Sequence, residues 1–205
     1  MYIPKHFEVD EQDAAIAVMR EHNFATLVSQ RGDEPFVTHC PLLVGEPGPP
    51  LVLRGHLAKA NPHWKQWEAQ PNVLAIFHGP HGYISPSLYG SRESVPTWNY
   101  VAVHAYGTIA AIHDTDAKHG LLKDLIAVQE PAYKAQWDAL DAGFQERMLG
   151  AIVGFRIEVT RLEAKFKLGQ NRPKADRENM MRAFANGGED ERAMAQWMQR
   201  LEPKP

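Results

Sequence analysis

The segment Arg54–Pro62, with the sequence RGHLAKANP, combines features that could bind an anion. It follows a short apolar strand predicted over residues 51–55, and its Asn61-Pro62 pair is typical of a helix start, with Asn as the cap. Backbone N–H groups at a helix N-terminus attract anions, and His56 and Lys59 add side-chain donors. The sequence lacks the Walker and dinucleotide-binding glycine patterns, so we predict a different kind of phosphate cradle, or an ordinary capped turn.

A second candidate is Thr97-Trp98-Asn99-Tyr100, which begins a strand predicted over residues 98–112. An Asn side chain can hydrogen-bond the edge of a heteroaromatic ring, and a Trp side chain can stack on its face. These residues belong to the stretch Ile76–Gly107, which is rich in aromatic residues, Pro and Gly. We interpret this stretch either as part of a planar-ligand site or as an aromatic loop that covers a sheet.

The third candidate is Lys165–Arg172, with the sequence KFKLGQNR. The alternation of side chains along a strand places Lys165 and Lys167 on one face, and the polar residues Gln170, Asn171 and Arg172 end that strand. The alternative interpretation is a solvated, charged edge, since edge strands often carry lysine.

The ten His and the single Cys lack the spacing that a metal centre or a hydrolase requires. There is no His-Glu-x-x-His and no Gly-x-Ser-x-Gly, and His78-x-x-His81 lies among Gly and Pro. We therefore predict no metal site and assign no catalytic residue. Cys40 is interpreted as a structural residue of a buried strand. His39, His104 and Tyr83 could serve as an acid or base in an enzyme, but core or loop positions explain them equally.

Composition and charge exclude several classes of protein. The 205 residues carry a net charge of −3, with no leader and no apolar run of membrane-spanning length, and we expect a cytoplasmic protein without a membrane partner. Residues 161–205 hold ten Lys and Arg against seven Asp and Glu, a balance of +3, which leaves −6 for residues 1–160. A uniformly basic surface for DNA is excluded, whereas a local basic patch near the C-terminus is compatible with this distribution.

Short strands, tight turns and few helices predict a mainly β fold, a small antiparallel barrel with peripheral helices. Helices are predicted over residues 10–21 with Asp10 as the cap, around Trp64 to Glu68, over 116–148 with a break at Glu130-Pro131, and beyond Arg172 with a break at 186–188. Strands are predicted over residues 24–30, 35–44, 51–55, 73–77, 98–112 and 151–162. We divide the chain into a barrel domain, residues 1–172, and a helical extension, residues 173–205.

Five segments of the sequence together resemble the PaiB-type proteins, a family described as FMN-binding negative transcriptional regulators. The similarity runs in order from Met1 to about Arg177 and includes Met1–Pro4, Gly55–Trp64, Gly79–Ser87, Val95–Tyr100 and Lys165–Arg172. The family is similar in turn to the FMN-binding split β-barrel of pyridoxamine-phosphate oxidases. The resemblance therefore implies a flavoprotein with that fold and with FMN as its cofactor.

The resemblance also implies a homodimer with flavin sites between subunits. The residues that it assigns to cofactor binding are Thr38 and His39 along the flavin; His56, Lys59 and Asn61 near the phosphate; Trp98 and Asn99 near the ring or ribityl chain; and Lys167, Gln170 and Arg172, which close the site from the same or the other subunit. The sequence departs from the family at two positions. Gly169 stands where members usually have Ser, and Leu88 where they usually have an aromatic residue.

Two functions are compatible with these observations. The first is a negative transcriptional regulator that contacts DNA directly or acts through a partner. The helices on either side of residues 186–188 superficially suggest a helix-turn-helix, but Glu189, Asp190 and Glu191 would repel DNA phosphates from the second helix. The alternative is a flavin-dependent oxidoreductase, or a protein that binds another planar ligand such as haem, on the same fold.

Overall fold

The structure is a computed structural model that describes residues 1–9 and 12–201. The predicted cap Asp10 lies outside the described residues, whereas the helix that follows it is confirmed as α1, Gln12–Glu21. The chain forms two compact units. The first unit comprises residues 1–21, 78–103 and 163–205, and the second comprises residues 22–77 and 104–162.

Seven strands form one sheet in the order β2-β1-β5-β6-β7-β4-β3. Their bounds are β1 Phe24–Arg31, β2 Glu34–Pro41, β3 Leu43–Val44, β4 Val52–Ala58, β5 Asn72–Ile84, β6 Thr97–Ile112 and β7 Ile152–Lys167. The pairs β1–β2, β1–β5, β3–β4 and β4–β7 are antiparallel, with Val28 opposite Val37 in the β1–β2 hairpin. A turn at Gly32-Asp33 closes this hairpin.

The helices agree with the predicted pattern except around Glu68 and at Leu140-Asp141, where a second, unpredicted break separates two helices. They are α2 Thr115–Gln129, α3 Lys134–Ala139, α4 Ala142–Gly150, α5 Lys174–Ala185 and α6 Glu189–Arg200, and 3-10 helices occur at Lys5–Phe7, Pro62–Gln66, Pro86–Leu88 and Pro131–Tyr133. The predicted helix through Glu68 is wrong, because the helical segment there is a single 3-10 turn that ends at Gln66. Within residues 1–9 and 12–201, no helix is long and apolar enough to cross a membrane.

Strand β5 extends beyond its predicted end at Phe77 and continues to Ile84. Sequence reasoning interpreted Gly79, Pro80 and Gly82 as loop residues because Gly and Pro usually interrupt strands. The structure shows a different role for Gly82, since a Cβ atom on this residue would stand 2.8 Å from the ring of Phe184 on α5. This glycine is required for close packing and does not form a turn.

We expect Gly82→Ala to lower the free energy of unfolding by about 2 kcal/mol, because the added methyl overlaps a buried aromatic ring. Gly120→Ala is the matched control. Gly120 lies inside α2 with nothing within 4 Å of its Cβ position, so the same substitution should stabilise the protein by about 0.5–1 kcal/mol through helix propensity. Urea unfolding of both variants measures the difference, and equal effects would contradict the packing argument.

Candidate ligand-binding site

Three cationic residues, Lys165, Lys167 and Arg172, lie at the end of β7 in the first unit and are called the basic cluster below. Lys165 is buried, with 7% of its surface exposed. Its Nζ donates to the backbone O of Tyr2 at 2.9 Å and lies 5.2 Å from the ring centroid of Tyr100. The solvated-edge interpretation is therefore wrong for Lys165, and β7 itself lies between β6 and β4 in the sheet.

Lys167 connects the basic cluster to the start of β6. Its Nζ donates a hydrogen bond to Oγ1 of Thr97. Burial lowers the pKa of Lys167 below its usual value, and the neighbouring positive charges of Lys165 and Arg172 lower the pKa further. Because an anion would relieve this repulsion, the cluster has the electrostatics expected of an anion-binding site.

Gln170 shapes the turn that leads from β7 to Arg172. Its Oε1 accepts from the backbone N–H of Leu168 at 2.8 Å, and its Nε2 donates to the backbone O of Phe166. The backbone N–H of Arg172 donates to Gly169 O at 2.9 Å. The side chain of Gln170, which the family resemblance assigns to the cofactor, thus already bonds within its own turn.

Asn99 is 1% exposed, and its Nδ2 has no hydrogen-bond partner within the described part of the chain. Buried amides are almost always paired, so an unpaired one indicates a missing ligand or water. The Nδ2 atom lies 3.7 Å from the position of a Cβ on Gly169. Gly169 has a φ of 79°, a backbone conformation that residues with a side chain rarely adopt and that glycine adopts readily.

Trp98 and Asn99 occupy opposite faces of β6, because adjacent strand residues alternate. Trp98 is 53% exposed, and its ring packs edge-on against His81 and Tyr83 at centroid distances of 5.7 and 6.0 Å. Tyr83 is 50% exposed. The structure therefore places Trp98 and Asn99, both predicted to contact the cofactor, on opposite faces of the strand. The rings of Trp98 and Tyr83 lie on the surface.

In the second unit, Asn61 and Thr38 are held together by hydrogen bonds. Asn61 Oδ1 accepts from the backbone N–H of His63 at 3.0 Å, which confirms the predicted cap, and Asn61 Nδ2 donates to Thr38 Oγ1 at 3.2 Å. Both polar side chains predicted to contact the cofactor in this region are thus engaged with protein atoms.

The centre of this network is His63, which sequence reasoning missed. The residue is 0% exposed, with Nδ1 2.8 Å from Thr38 Oγ1 and Nε2 2.7 Å from Ser29 Oγ. Burial lowers the pKa of His63 to about 4, so the ring is neutral at pH 7 and joins the 3-10 turn to β1 and β2. The sequence contained one signal for a buried role of His63, namely its position in the first turn after the Asn61 cap.

Three backbone N–H groups of the predicted phosphate cradle already donate to acceptors within the protein. The N–H groups of Lys59, Asn61 and His63 donate to Ala151 O, Ala58 O and Asn61 Oδ1. Lys59 is exposed, and His56 is half-buried on β4, where burial lowers its pKa. The His56 and Lys59 side chains stay the predicted anion contacts of this segment.

The second unit also contains the predicted cofactor contact His39, the single cysteine Cys40 and a cavity. His39 is exposed on β2, with Nδ1 3.1 Å from Thr26 Oγ1. Cys40 is 4% exposed, and burial raises the pKa of its thiol to about 12, which confirms its structural interpretation. A cavity of about 490 Å³ between the Trp64–Pro71 segment and residues 109–113 is lined by none of the predicted site residues.

Comparisons with known proteins bear on the family and the fold of the chain. A family model described as "Putative FMN-binding domain" matches residues 1–161. The chain is 39% identical over 191 residues to "Protease synthase and sporulation protein PAI 2" of Bacillus subtilis, covering 91% of this chain and 90% of that protein.

Two solved structures share the fold. One is the flavocytochrome Anf3 from Azotobacter vinelandii, with a TM-score of 0.63, 15% identity, and coverage of 80% of this chain and 72% of that chain. The other is the FAD and heme binding protein from Mycobacterium smegmatis, with a TM-score of 0.63, 18% identity, and coverage of 88% and 80%. The predicted fold, a mainly antiparallel β split barrel with helices, is confirmed.

Proposed function

The chain belongs to this family of FMN-binding domains, and we propose that it binds FMN and acts as a negative transcriptional regulator. The family match confirms the resemblance to PaiB-type proteins. The regulatory role rests on that resemblance and on the similarity to the PAI 2 protein across nine tenths of both chains.

The residues of the first unit fit the chemistry of FMN. The cofactor carries a phosphate and a ring system whose edge presents hydrogen-bond acceptors. The basic cluster supplies positive charge for an anionic group, and the buried Nδ2 of Asn99 supplies a donor that has no partner among the described residues. This combination of mutually repelling cations and an unpaired buried amide is the observation that carries the proposal.

We therefore propose Lys167, Arg172 and Asn99 as FMN contacts. The His56 and Lys59 side chains of the second unit stay predicted contacts of the phosphate, as the family resemblance implies. When bound, FMN would supply one- and two-electron redox chemistry, while the protein contributes binding and orientation.

FMN binding is tested by the visible spectrum of the purified protein before and after addition of FMN. We expect a flavin absorption band that remains with the protein through gel filtration. Asn99→Ala should weaken binding about tenfold, since it removes one buried donor, whereas Asn171→Ala at an exposed neighbouring position should leave it unchanged. A wild-type protein that retains no flavin would contradict the proposal.

We propose a homodimer in the cytoplasm as the functional form. The first unit exposes apolar side chains at Val95 (68%), Trp98 (53%) and Tyr83 (50%), and a second copy of the chain would cover such a surface. Light scattering on the purified protein should give twice the chain mass of 23.1 kDa, and Trp98→Glu should shift the mass towards the monomer. The division into residues 1–172 and 173–205 stays a prediction.

Repression through a partner protein is favoured over direct DNA readout. The carboxylate of Glu191 accepts from the backbone N–H of Gly188 at 2.7 Å, so it caps its own helix. Glu189 and Asp190 add negative charge to the same helix terminus, where DNA phosphates would be repelled. A gel shift on the protein's own promoter at about 0.1 M salt should give no specific complex, and a specific complex would instead support direct contact.

The second candidate function is a flavin-dependent oxidoreductase or a haem binder. It is favoured by the names of the two similar solved structures, which describe proteins with haem as well as flavin. Reduction of bound FMN by NADPH with turnover of an acceptor would support the enzyme, and an absorption band of bound haem would support the haem binder.

A further inference from the structure

The first unit positions Arg172 against a buried aromatic ring. The guanidinium carbon of Arg172 lies 4.1 Å from the ring centroid of Tyr89, and Tyr89 is 8% exposed. A guanidinium stacked on a ring uses its flat face, whereas its five N–H donors point outward in its plane. At this distance a stacked guanidinium would be fixed in orientation, with its donors available to an anion.

Both neighbours of Tyr89 are fastened to α5. The backbone N–H of Gly90 donates to Asp176 Oδ1 at 2.9 Å, and Asn179 Nδ2 donates to Leu88 O at 3.2 Å. Asp176 is itself 7% exposed, so its carboxylate is held in a protected contact. Hydrogen bonds on either side of Tyr89 thus restrict the movement of its ring.

The stacking offsets a repulsion within the basic cluster. Arg172 is close enough to Lys167 to lower the pKa of that lysine, and Lys165 is also cationic. Like charges would drive an unrestrained arginine away into solvent. A cation held over an aromatic face is attracted by the ring quadrupole. The ring can therefore keep Arg172 beside the two lysines before any anion arrives.

We propose that Tyr89 is a positioning residue that presents Arg172 to the anionic part of FMN. This inference rests on the proposed FMN binding and adds to it a residue that does not itself contact the cofactor. The Tyr89 ring holds Arg172 in position, and hydrogen bonds from α5 hold the segment that carries the ring. Because the site is preorganised, FMN binding need not immobilise a flexible side chain.

The test is a double-mutant cycle on FMN affinity with Tyr89→Leu and Arg172→Gln, with affinity measured by quenching of FMN fluorescence. Tyr89→Leu is expected to weaken binding about tenfold in the wild-type background and less than twofold in the Arg172→Gln background. Tyr89→Phe preserves the ring face and should bind FMN within about twofold of the wild type. A residue with a purely structural role would show a Tyr89→Leu loss of the same size in the Arg172→Gln background.

The outcomes separate this inference from the proposed function. If the wild-type protein binds no FMN, the proposed function fails. If Arg172→Gln weakens binding but Tyr89→Leu does not, or if the Tyr89→Leu loss persists in the Arg172→Gln background, the positioning role fails. Thermal unfolding reports whether Tyr89→Leu folds. Where it does not fold, Asn179→Ala carries the test, since it releases Leu88 O and should weaken binding several-fold only when Arg172 is present.

Discussion

Replacing Lys167 with Met is expected to weaken FMN binding about tenfold to a hundredfold, which corresponds to the loss of one charge-assisted hydrogen bond. The Nζ of Lys167 is half-buried, held by Thr97 Oγ1 and surrounded by like charge, so a bound anion interacts with it under weak solvent screening. Titration of FMN fluorescence with each protein measures the change.

Lys174→Met is the matched control for this loss. Lys174 lies on α5 in the same part of the chain, with a side chain that is 86% exposed, and its only ion pair is a surface contact with Glu178 among the described residues. We expect a less than twofold effect on FMN affinity from this substitution. Equal losses from Lys167→Met and Lys174→Met would show that overall charge, and not the basic cluster, governs binding.

The same lysine should give FMN affinity a pH dependence in the alkaline range. In the free protein the pKa of Lys167 is below its usual value, and a bound anion would raise that pKa. At a pH between the pKa of the free protein and that of the complex, FMN binding is therefore accompanied by proton uptake. The contribution of Lys167 to FMN affinity should accordingly be constant near neutrality and fall as the pH rises through the lowered pKa. The Lys167→Met protein should lack this decline. An unchanged profile would remove Lys167 from the site.

The free energy of unfolding is expected to fall by roughly 2 kcal/mol between pH 7 and pH 5, because of His63. The folded protein keeps this imidazole neutral, with a pKa of about 4, whereas the unfolded chain binds a proton near the model value of 6.5. The unfolded state therefore holds more protons between these pH values, and stability rises with pH. The contribution is present above pH 6.5 and is lost progressively as the pH falls towards 4.

Urea unfolding at a series of pH values measures this slope. His63→Gln should be less stable at pH 7, because it disrupts the bonds to Ser29 and Thr38, and it should show a flatter profile between pH 5 and pH 7. His113→Gln, at an exposed position of the same unit, is the control and should retain the wild-type slope. If His63→Gln also retains that slope, other groups cause the acid destabilisation.

Local patterns in the sequence predicted most of the elements correctly. The alternation in β1, β6 and β7 and the breaks at Glu130-Pro131 and residues 186–188 depend on neighbouring residues only. The prediction of a loop was wrong at Gly79 and Gly82. The lack of a side chain at these positions allows close packing against residues that are distant in the sequence. Sequence reasoning also failed to find His63, since its partners Ser29 and Thr38 are far away in sequence.

The sequence by itself determined the fold, the family and the three segments that could do chemistry, because each rests on residue types at fixed local spacing. Only the tertiary structure decided which polar atoms remain available. It engages Gln170, Asn61 and Thr38 within the protein, and it leaves Asn99 buried without a partner in the described residues. It also places Arg172, one member of the basic cluster, beside Tyr89. Hydrogen-bond pairing and charge repulsion depend on distances between remote segments, which a linear pattern does not contain.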